Sequence, residues 1–306
     1  MLYSIVIPVY NSAKIISELC NQISDAMNGF EFEVVLVDDK SKDNSWDEII
    51  TVSSNSNLFM GISLAKNFGQ HSAIMAGLSS TKGDYVIIMD DDLQHSPYDI
   101  PTLIKSIKEN QVCFADLSND LKQSWWKNVG SYFNSIQSEY IGEKPKGIYM
   151  SSFKILSRLV VESILEYKGP YPYIDGLICR TTSSINQVQI EHHKRFAGKG
   201  NYNLYRSISV FLKHTTGFSI FPLRLASIIG VILSLSGFFL GLYYIYQYFV
   251  IKDAPLGWTS LIVLELFIGG VVLFSLGIIG EYIGRIYLTT NKKPQFVIGR
   301  ISNHNK

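Results

Sequence analysis

Three consecutive aspartates, Asp90, Asp91 and Asp92, follow a short apolar run that ends at Met89. The run is β-branched and continuously hydrophobic, which is typical of a strand covered on both faces. Side chains alternate along an extended chain, so Asp90 and Asp92 should point one way and Asp91 the other. Two convergent carboxylates suit Mg²⁺ or Mn²⁺, with substrate phosphates completing the ligand shell. The alternative is an acidic surface turn, but like charges beside a buried strand need a cation or donor groups to offset them.

Other polar residues follow the earlier apolar runs of the chain. Pro8, Tyr10 and Asn11 close the first run, and Asp38 and Asp39 close the second. Because Pro8 has no backbone N–H, we expect the first strand to stop there. Ligands of open parallel α/β sheets bind beyond the carboxyl ends of the strands. These residues and the aspartate triplet should therefore meet at one edge of a sheet.

Apolar runs alternate with segments of helical periodicity in the first part of the chain. Strands are predicted near residues 3–9, 33–39, 60–64 and 86–89, and helices near 13–27, 72–80 and 97–109. This alternation predicts an α/β domain with a doubly wound, mostly parallel sheet. The sequence has neither GxGxxG nor GxxxxGK[ST], so a nucleotide would be held by an aromatic side chain, amides and a metal.

Charge and cysteine content exclude other classes of function. The chain has 27 Lys and Arg against 26 Asp and Glu, so no basic field points to nucleic acid as a partner. Cys20, Cys113 and Cys179 form no CxxC pair. This cysteine usage fits a reducing compartment and supplies no zinc or redox motif.

Apolar residues are concentrated in the last third of the chain. Residues 225–246 contain no charged, amide or imidazole side chain, and residues 258–280 are interrupted only by Glu265. Each run is long enough to cross a bilayer core of about 30 Å. The alternative, two buried helices of a soluble protein, fits runs of this length less well. Basic residues flank the pair of runs while the loop between them has only Lys252, which places both termini in the cytoplasm.

These patterns predict the organisation of the whole chain. A cytoplasmic domain occupies 1–200, an amphipathic juxtamembrane segment 201–222, two transmembrane helices 223–288 (about 225–248 and 259–281) and a cytoplasmic tail 289–306. Glu265 is costly inside a membrane unless it is paired or faces protein. We expect it near the outer interface or at a subunit contact, and we expect the chain to form a homo-oligomer.

Four motifs in this order resemble the family-2 glycosyltransferases of GT-A fold. They are Pro8-x-Tyr10-Asn11, Val37-Asp38-Asp39, Asn67-x-Gly69 and Asp90-x-Asp92-Leu93-Gln94. Within that family, residues 67–77 and 281–287 resemble the bacterial undecaprenyl-phosphate transferases for 4-amino-4-deoxy-arabinose derivatives and glucose. The resemblance covers nearly the whole chain and also includes the dolichol-phosphate sugar transferases.

The resemblance implies a role for each residue of the motifs. The residues on the donor side would be Pro8, Tyr10, Asn11, Asp38, Asp39, Asn67, Asp90 and Asp91. Asp90 and Asp92 would hold the Mg²⁺ or Mn²⁺ ion with help from Gln94, which makes Asp92 a catalytic residue. Asp91 replaces a small residue usual in the family, and we expect a structural role for it.

The resemblance also implies an acceptor side. Its phosphate-binding residues would be Lys127, Ser131, Arg195, Lys199 and Tyr202, of which Arg195 would also be catalytic because it positions the phosphate for attack. The alternatives are a surface lysine at position 127 and a solvated basic loop around Arg195. Relatives often place an aspartate near residues 148–154, where this chain has none, so Asp175 is the nearest later candidate for a catalytic acid or base.

The reaction implied is inverting transfer of a sugar from a nucleotide-diphosphate donor, expected to be UDP-linked, to undecaprenyl phosphate in the bacterial cytoplasmic membrane. The products of such transfers serve cell-envelope glycan or lipid modification. A phosphate acceptor has its second pKa near 6, so it needs no strong base. One alternative is a glycosyltransferase with a hydroxyl acceptor, which requires a base such as Asp175. Another is a catalytically silent membrane scaffold, against which Asp90 and Asp92 argue.

Overall fold

The computed structural model describes residues 1–116, 147–190, 257–291 and 293–302, together with isolated positions between 228 and 250. The chain divides into two compact units. One consists of Met1–Asn201 with Lys292–Lys306, and the other of Tyr202–Asn291. The first unit therefore contains both ends of the chain, and the second is the segment between them.

A mixed sheet forms the centre of the first unit. Its described strands are β1 (Leu2–Val9), β2 (Glu31–Asp38), β3 (Phe59–Leu64), β4 (Tyr85–Ile88), β5 (Val112–Asp116), β6 (Lys154–Ser157), β7 (Ile185–Gln189) and β8 (Ile298–Ile301). Their order is β7-β5-β6-β4-β1-β2-β3-β8. Strands β4, β1, β2 and β3 are parallel, which confirms the predicted α/β sheet. Strand β6 runs antiparallel to both of its neighbours, and β8 runs antiparallel to β3.

Helices cover both faces of this sheet. The described helices of this unit are α1 (Ile16–Ala26), α2 (Ser45–Asn55), α3 (Gln70–Leu78), α4 (Ile100–Ile107), α5 (Arg158–Leu165) and α6 (Ile174–Thr181), and α7 (Trp258–Thr290) belongs to the second unit. Ile5 and Ile7 of β1 belong to one buried cluster with Ile16 of α1. On the other face, Gly77 lets α3 approach β1, because a Cβ there would collide with Val6. The central strands are therefore apolar on both sides.

Strand β1 continues past Pro8, contrary to the prediction. The β1–β4 ladder ends at the pair Val6 and Ile88, and the Val6 carbonyl accepts from Met89 N at 3.2 Å. Alternate residues of a parallel strand bond to the same neighbour, so Pro8 faces the side of β4. Strand β4 has already ended at this level. The missing N–H of Pro8 therefore costs no ladder bond.

Helix α7 forms part of the second unit. It contains the one candidate membrane span found among the described residues, Phe267–Leu288, identified by length and composition. This span lies later in the chain than the predicted 259–281. The described positions between 228 and 250 are helical. The rest of the predicted span 225–248 and the juxtamembrane segment 201–222 lie outside the described residues.

Within the predicted tail, residues 289–306, the described residues include the end of α7 and a strand. Residues 289 and 290 still belong to α7, and residues 298–301 form β8. This strand covers the edge of β3 that the sheet would otherwise leave open. The β-branched residues of 297–301 could have indicated a strand, but their partner is distant in sequence.

Candidate active site

The carboxyl ends of β1, β2 and β4 meet, as the sequence predicts. The Tyr10 N–H donates to Asp91 Oδ2 at 3.1 Å, which joins the loops that follow β1 and β4. The Asp39 N–H donates to the Val9 carbonyl at 2.9 Å, which joins the ends of β1 and β2. The Tyr10 side chain is 44% exposed at this edge. Tyr10 is therefore accessible at the sheet edge where these carboxylates lie.

Asp39 is held by the β3–α3 loop (residues 65–69). Its Oδ1 accepts from Phe68 N at 2.7 Å, and its Oδ2 accepts from Gly69 N at 2.8 Å. Asn67 Nδ2 donates to the Asp39 carbonyl at 3.1 Å. Burial raises the pKa of Asp39, the amides of Phe68 and Gly69 lower it, and the charge of Asp38 raises it. Gly69 has φ +95°, a conformation that glycine adopts without strain.

Asp38 and Asn11 brace the loops behind Tyr10 and Asp39. The buried carboxylate of Asp38 accepts from Ser41 N at 2.9 Å and from Ser63 Oγ at 2.8 Å. Asn11 Oδ1 accepts from Lys42 N at 2.8 Å. Both residues were predicted on the donor side. The structure engages their side-chain oxygens with the loop that follows β2.

The aspartate triplet lies in the loop after β4. Asp90 Oδ1 accepts from Gln70 Nε2 at 2.7 Å, whereas Asp91 accepts from the Tyr10 N–H, so these two neighbouring carboxylates have different partners. Asp92 Oδ1 accepts from Gln94 N at 3.1 Å, which places Gln94 beside it. Burial raises the pKa of Asp91 to about 6. Burial also raises the pKa of Asp90, while a hydrogen bond from Ser152 lowers it.

A buried lysine close to Asp90 was missed by the sequence analysis. Lys154 of β6 lies opposite Ile88 of β4 in register and is 3% exposed. Its Nζ pairs with Asp175 Oδ1 and lies 5.1 Å from the centre of the Phe114 ring. Its positive charge lowers the pKa of Asp90. A lone lysine inside an apolar run was the available signal, because a buried lysine requires a partner.

Side chains near Asp90 contact residues that lead into β6 and α6. His95 Nε2 lies 3.2 Å from Ser152 Oγ, and the His95 ring stacks on Phe153. His71, next to Gln70 on α3, meets Tyr173 edge to face with the ring centres 5.4 Å apart. Tyr173 immediately precedes α6, which carries Asp175. We call two segments together the β6–α6 wall. They are residues 152–154, which lead into β6, and residues 173–175, which lead into α6.

The predicted catalytic residue Asp175 therefore belongs to this wall, where its carboxylate is engaged by Lys154. The prediction of the residues that bind the acceptor phosphate stays a prediction. Lys127, Ser131, Arg195, Lys199 and Tyr202 lie outside the described residues.

The carboxylates at the end of β4 fit one kind of metal ion. Within the described ranges, no group of three or more His, Cys, Asp or Glu side chains is arranged to hold a metal by itself. Mg²⁺ is commonly bound through one or two carboxylates together with substrate phosphates. Asp90 is partly committed to Gln70, whereas Asp92 has a Gln94 amide on one oxygen. The pair thus suits a hard divalent cation that shares its ligands with a bound diphosphate.

Comparisons with known proteins agree with this geometry. Glycosyl transferase family 2 matches residues 4–165, and the GtrB C-terminal hairpin matches residues 221–286. The undecaprenyl-phosphate 4-deoxy-4-formamido-L-arabinose transferase of Serratia proteamaculans is 31% identical, over 99% of this chain and 95% of that protein. A prophage bactoprenol glucosyl transferase homolog of Escherichia coli is 30% identical, over 98% of this chain and 99% of that protein.

A solved structure supports the fold. Glucosyl-3-phosphoglycerate synthase from Mycobacterium tuberculosis, crystallised with Mn²⁺ and UDP-glucose, has a TM-score of 0.51 and 18% identity. The match covers 70% of this chain and 76% of that one. At this identity the likeness is one of fold alone. The family matches are specific, and the chain belongs to glycosyl transferase family 2, in the branch with a GtrB-type C-terminal hairpin, and is a glycosyltransferase.

Proposed function

We propose that the protein transfers a sugar from a UDP-linked donor to a membrane polyprenyl phosphate, such as undecaprenyl phosphate, with inversion at the anomeric carbon. One observation carries the proposal. The chain that brings Tyr10, Asp39 and the aspartate triplet to one sheet edge also continues into an apolar helix of membrane-spanning length. Similarity to undecaprenyl-phosphate and bactoprenol sugar transferases along almost the entire chain supports the same acceptor.

The donor nucleotide would bind across the ends of β1 and β2. Tyr10 and Pro8 would flank its base, and Asp39 would contact the base or ribose from a position fixed by two backbone amides. Asn11, Asp38 and Asn67 would shape this site through the loops that they hold. The amides fix Asp39 before the nucleotide arrives, so little ordering of this loop would be needed on binding.

Asp90 and Asp92, with Gln94 beside Asp92, would hold Mg²⁺ or Mn²⁺ against the donor diphosphate. A divalent ion bound there would act as a Lewis acid that offsets the charge on the departing nucleotide. Asp91 would position the loop after β4, which carries the proposed metal ligands, by accepting a hydrogen bond from the Tyr10 N–H.

The acceptor phosphate would itself be the nucleophile. It is largely dianionic at neutral pH because its second pKa lies near 6, so no side chain has to remove a proton. Arg195, Lys199, Tyr202, Lys127 and Ser131 are proposed to bind its oxygens, as the basic residues and hydroxyls of their segments suggest. Asp175 is then proposed as a positioning residue of the β6–α6 wall, because its carboxylate already pairs with Lys154.

The location proposed is the bacterial cytoplasmic membrane, with more than one crossing. Strand β8 and the strands before residue 190 lie in one sheet, so the chain on either side of residues 202–291 must be on the same side of a membrane. The number of crossings between them is then even, and a spanning α7 requires a second crossing. A cysteine introduced at Gly257 should react with an impermeant reagent from outside, and one at Lys40 should not. Labelling of Lys40→Cys in intact cells would refute this topology.

The proposed reaction can be tested on the purified full-length chain. Incubation with undecaprenyl phosphate, Mg²⁺ or Mn²⁺ and a panel of nucleotide sugars should give a lipid whose mass equals undecaprenyl phosphate plus one sugar. Nucleotide diphosphate should be released in equal amount. A product formed only on a hydroxyl acceptor, or release of nucleotide without a glycolipid, would contradict the proposal.

A further inference from the structure

The segment that follows α7 belongs to the first unit and makes a series of contacts with the rest of that unit. We call residues 293–302 the C-terminal strap. Its strand β8 pairs with β3, with Ile301 opposite Ile62 and Arg300 opposite Ser63. The Ala65 N–H, at the start of the β3–α3 loop, donates to the Val297 carbonyl at 2.8 Å. The strap is therefore bonded to the residue from which this loop departs.

The end of the strap is fixed at Gly61. Gly61 N donates to Ser302 Oγ at 2.7 Å, and Ser302 N donates to the Gly61 carbonyl at 2.9 Å. The Ser302 side chain is buried. A Cβ at position 61 would collide with Ile49 and would lie 3.1 Å from Ser302 Oγ, so this close fit requires glycine.

The beginning of the strap contacts the connection between α5 and α6. Gln295 Nε2 donates to the Tyr167 carbonyl at 2.6 Å, and Lys293 Nζ lies 5.9 Å from the centre of the Tyr171 ring. Tyr167 and Tyr171 belong to the α5–α6 connection, which leads into the β6–α6 wall at Tyr173. The strap thus joins the chain before this wall to the edge of β3.

The residues bonded to the strap support both carboxylates at the end of β2. Ser63, opposite Arg300 in the ladder, donates its hydroxyl to Asp38 at 2.8 Å. The β3–α3 loop, which departs from Ala65, donates two backbone amides to Asp39. Without β8, strand β3 would be an open edge and this loop would lose its first anchor.

We infer that the C-terminal strap is a positioning element of the donor site, so that binding of the nucleotide depends on the chain that follows the membrane segment. Only Asn291 and Lys292 separate α7's last turn from the strap. Ser302 and Gln295 are its positioning residues, since neither lies among the carboxylates that would contact donor or metal. The inference rests on the proposed function for the identity of the ligand, a nucleoside diphosphate.

The experiment compares the full-length wild type with Ser302→Ala, Gln295→Ala and a chain ending at residue 292, each purified in detergent. UDP affinity is measured by calorimetry, and hydrogen exchange is followed in peptides covering residues 61–70. Ser302→Ala should weaken UDP binding about fivefold, the equivalent of one ordinary hydrogen bond of about 1 kcal/mol. The truncated chain should bind UDP at least tenfold more weakly. Exchange should rise in residues 61–70 and stay unchanged in β1 and β4.

The matched control is Ser24→Ala, which removes a serine hydroxyl bonded to the backbone within α1, from Ser24 Oγ to the Cys20 carbonyl at 2.9 Å. It should leave UDP affinity and exchange unchanged. If Ser302→Ala and Gln295→Ala exchange and bind UDP like the wild type, the strap has no positioning role, whatever the truncated chain does. If the wild type binds no UDP while exchange in residues 61–70 still rises in the variants, the strap holds the loop and the donor assignment is wrong.

Discussion

On the β2–β3 side of the site, the carboxylates of Asp38 and Asp39 are held by backbone amides and one serine hydroxyl. On the β6–α6 side, the carboxylate of Asp175 is held by the ammonium of Lys154. In the first arrangement no cation is among the hydrogen-bond partners described for the two carboxylates, and the backbone amides do not depend on which side chains their residues carry. The second is an ion pair in which the Lys154 side chain is 4% exposed and the Asp175 side chain 16% exposed, so each charge needs the other.

This difference shows how the two sides would serve one reaction. A carboxylate held by amides keeps its place and its remaining lone pairs, so it can meet a ligand without rearrangement. A buried ion pair has little capacity left for a ligand and instead fixes the chain around it. We therefore propose that Asp39 contacts the donor, whereas the β6–α6 wall holds Asp90 and α6 in place.

The largest effect is expected at the metal site. Asp92→Asn removes one of two charges available to a divalent ion, so transfer should fall at least about a hundredfold, the scale of losing a group that stabilises charge in the transition state. The protein should stay folded and in the membrane. Rates with saturating Mn²⁺ measure the loss, with the exposed Asp47→Asn as the control. Retention of most activity, or insensitivity to chelators, would remove Asp92 from the site.

Lys154→Met tests the wall. It leaves the partly buried carboxylate of Asp175 without its cation, so stability should drop by about 3 kcal/mol and activity should fall with it. The double variant Lys154→Met/Asp175→Asn removes both charges and should recover at least half of that stability. Denaturant unfolding of the three proteins measures this. A double variant as unstable as Lys154→Met would show that the pair does not explain the role of Lys154.

Arg195→Ala tests the acceptor side, with Arg195→Lys as the control for charge alone. Loss of a bidentate hydrogen bond to phosphate costs about 1.5–3 kcal/mol, so transfer should slow about tenfold or more at subsaturating lipid. UDP affinity should not change. If UDP affinity falls and the lipid dependence does not, Arg195 binds the donor diphosphate instead.

The smallest effect is expected at Asp91, which lies between the two proposed metal ligands. Asp91→Asn keeps an oxygen that can accept the Tyr10 amide, so the donor KM should rise by less than about threefold. The comparison with Asp92→Asn separates a residue that positions a loop from one that holds a cation. Equal losses in the two variants would make Asp91 a metal ligand.

Much of the donor side could be predicted from the sequence because its signals are local. Each parallel strand is an apolar run with polar residues directly after it, and the rules of α/β topology bring those ends together. Tyr10, Asp39 and Asp91 meet for that reason. The predicted end of β1 at Pro8 was wrong because the effect of a proline on the ladder depends on where the neighbouring strand β4 ends.

The β6–α6 wall and the strap depend on pairings between distant parts of the chain. Lys154 and Asp175 lie on different elements, and the local sequence around either residue does not indicate that the other is its partner. Strand β8 pairs with a strand from the beginning of the chain, across the whole apolar segment. Local periodicity cannot indicate such partners, although an isolated lysine in a buried strand shows that one must exist.

The nature of the acceptor tests the account most directly. Undecaprenyl phosphate and undecaprenol, at equal concentration in the same detergent, are offered to the wild type with Mn²⁺ and the productive nucleotide sugar. The account predicts glycosylation of the phosphate alone, because no side chain of the site is assigned to deprotonate a hydroxyl. Comparable glycosylation of undecaprenol would mean that a general base operates here and that the nucleophile need not be a phosphate.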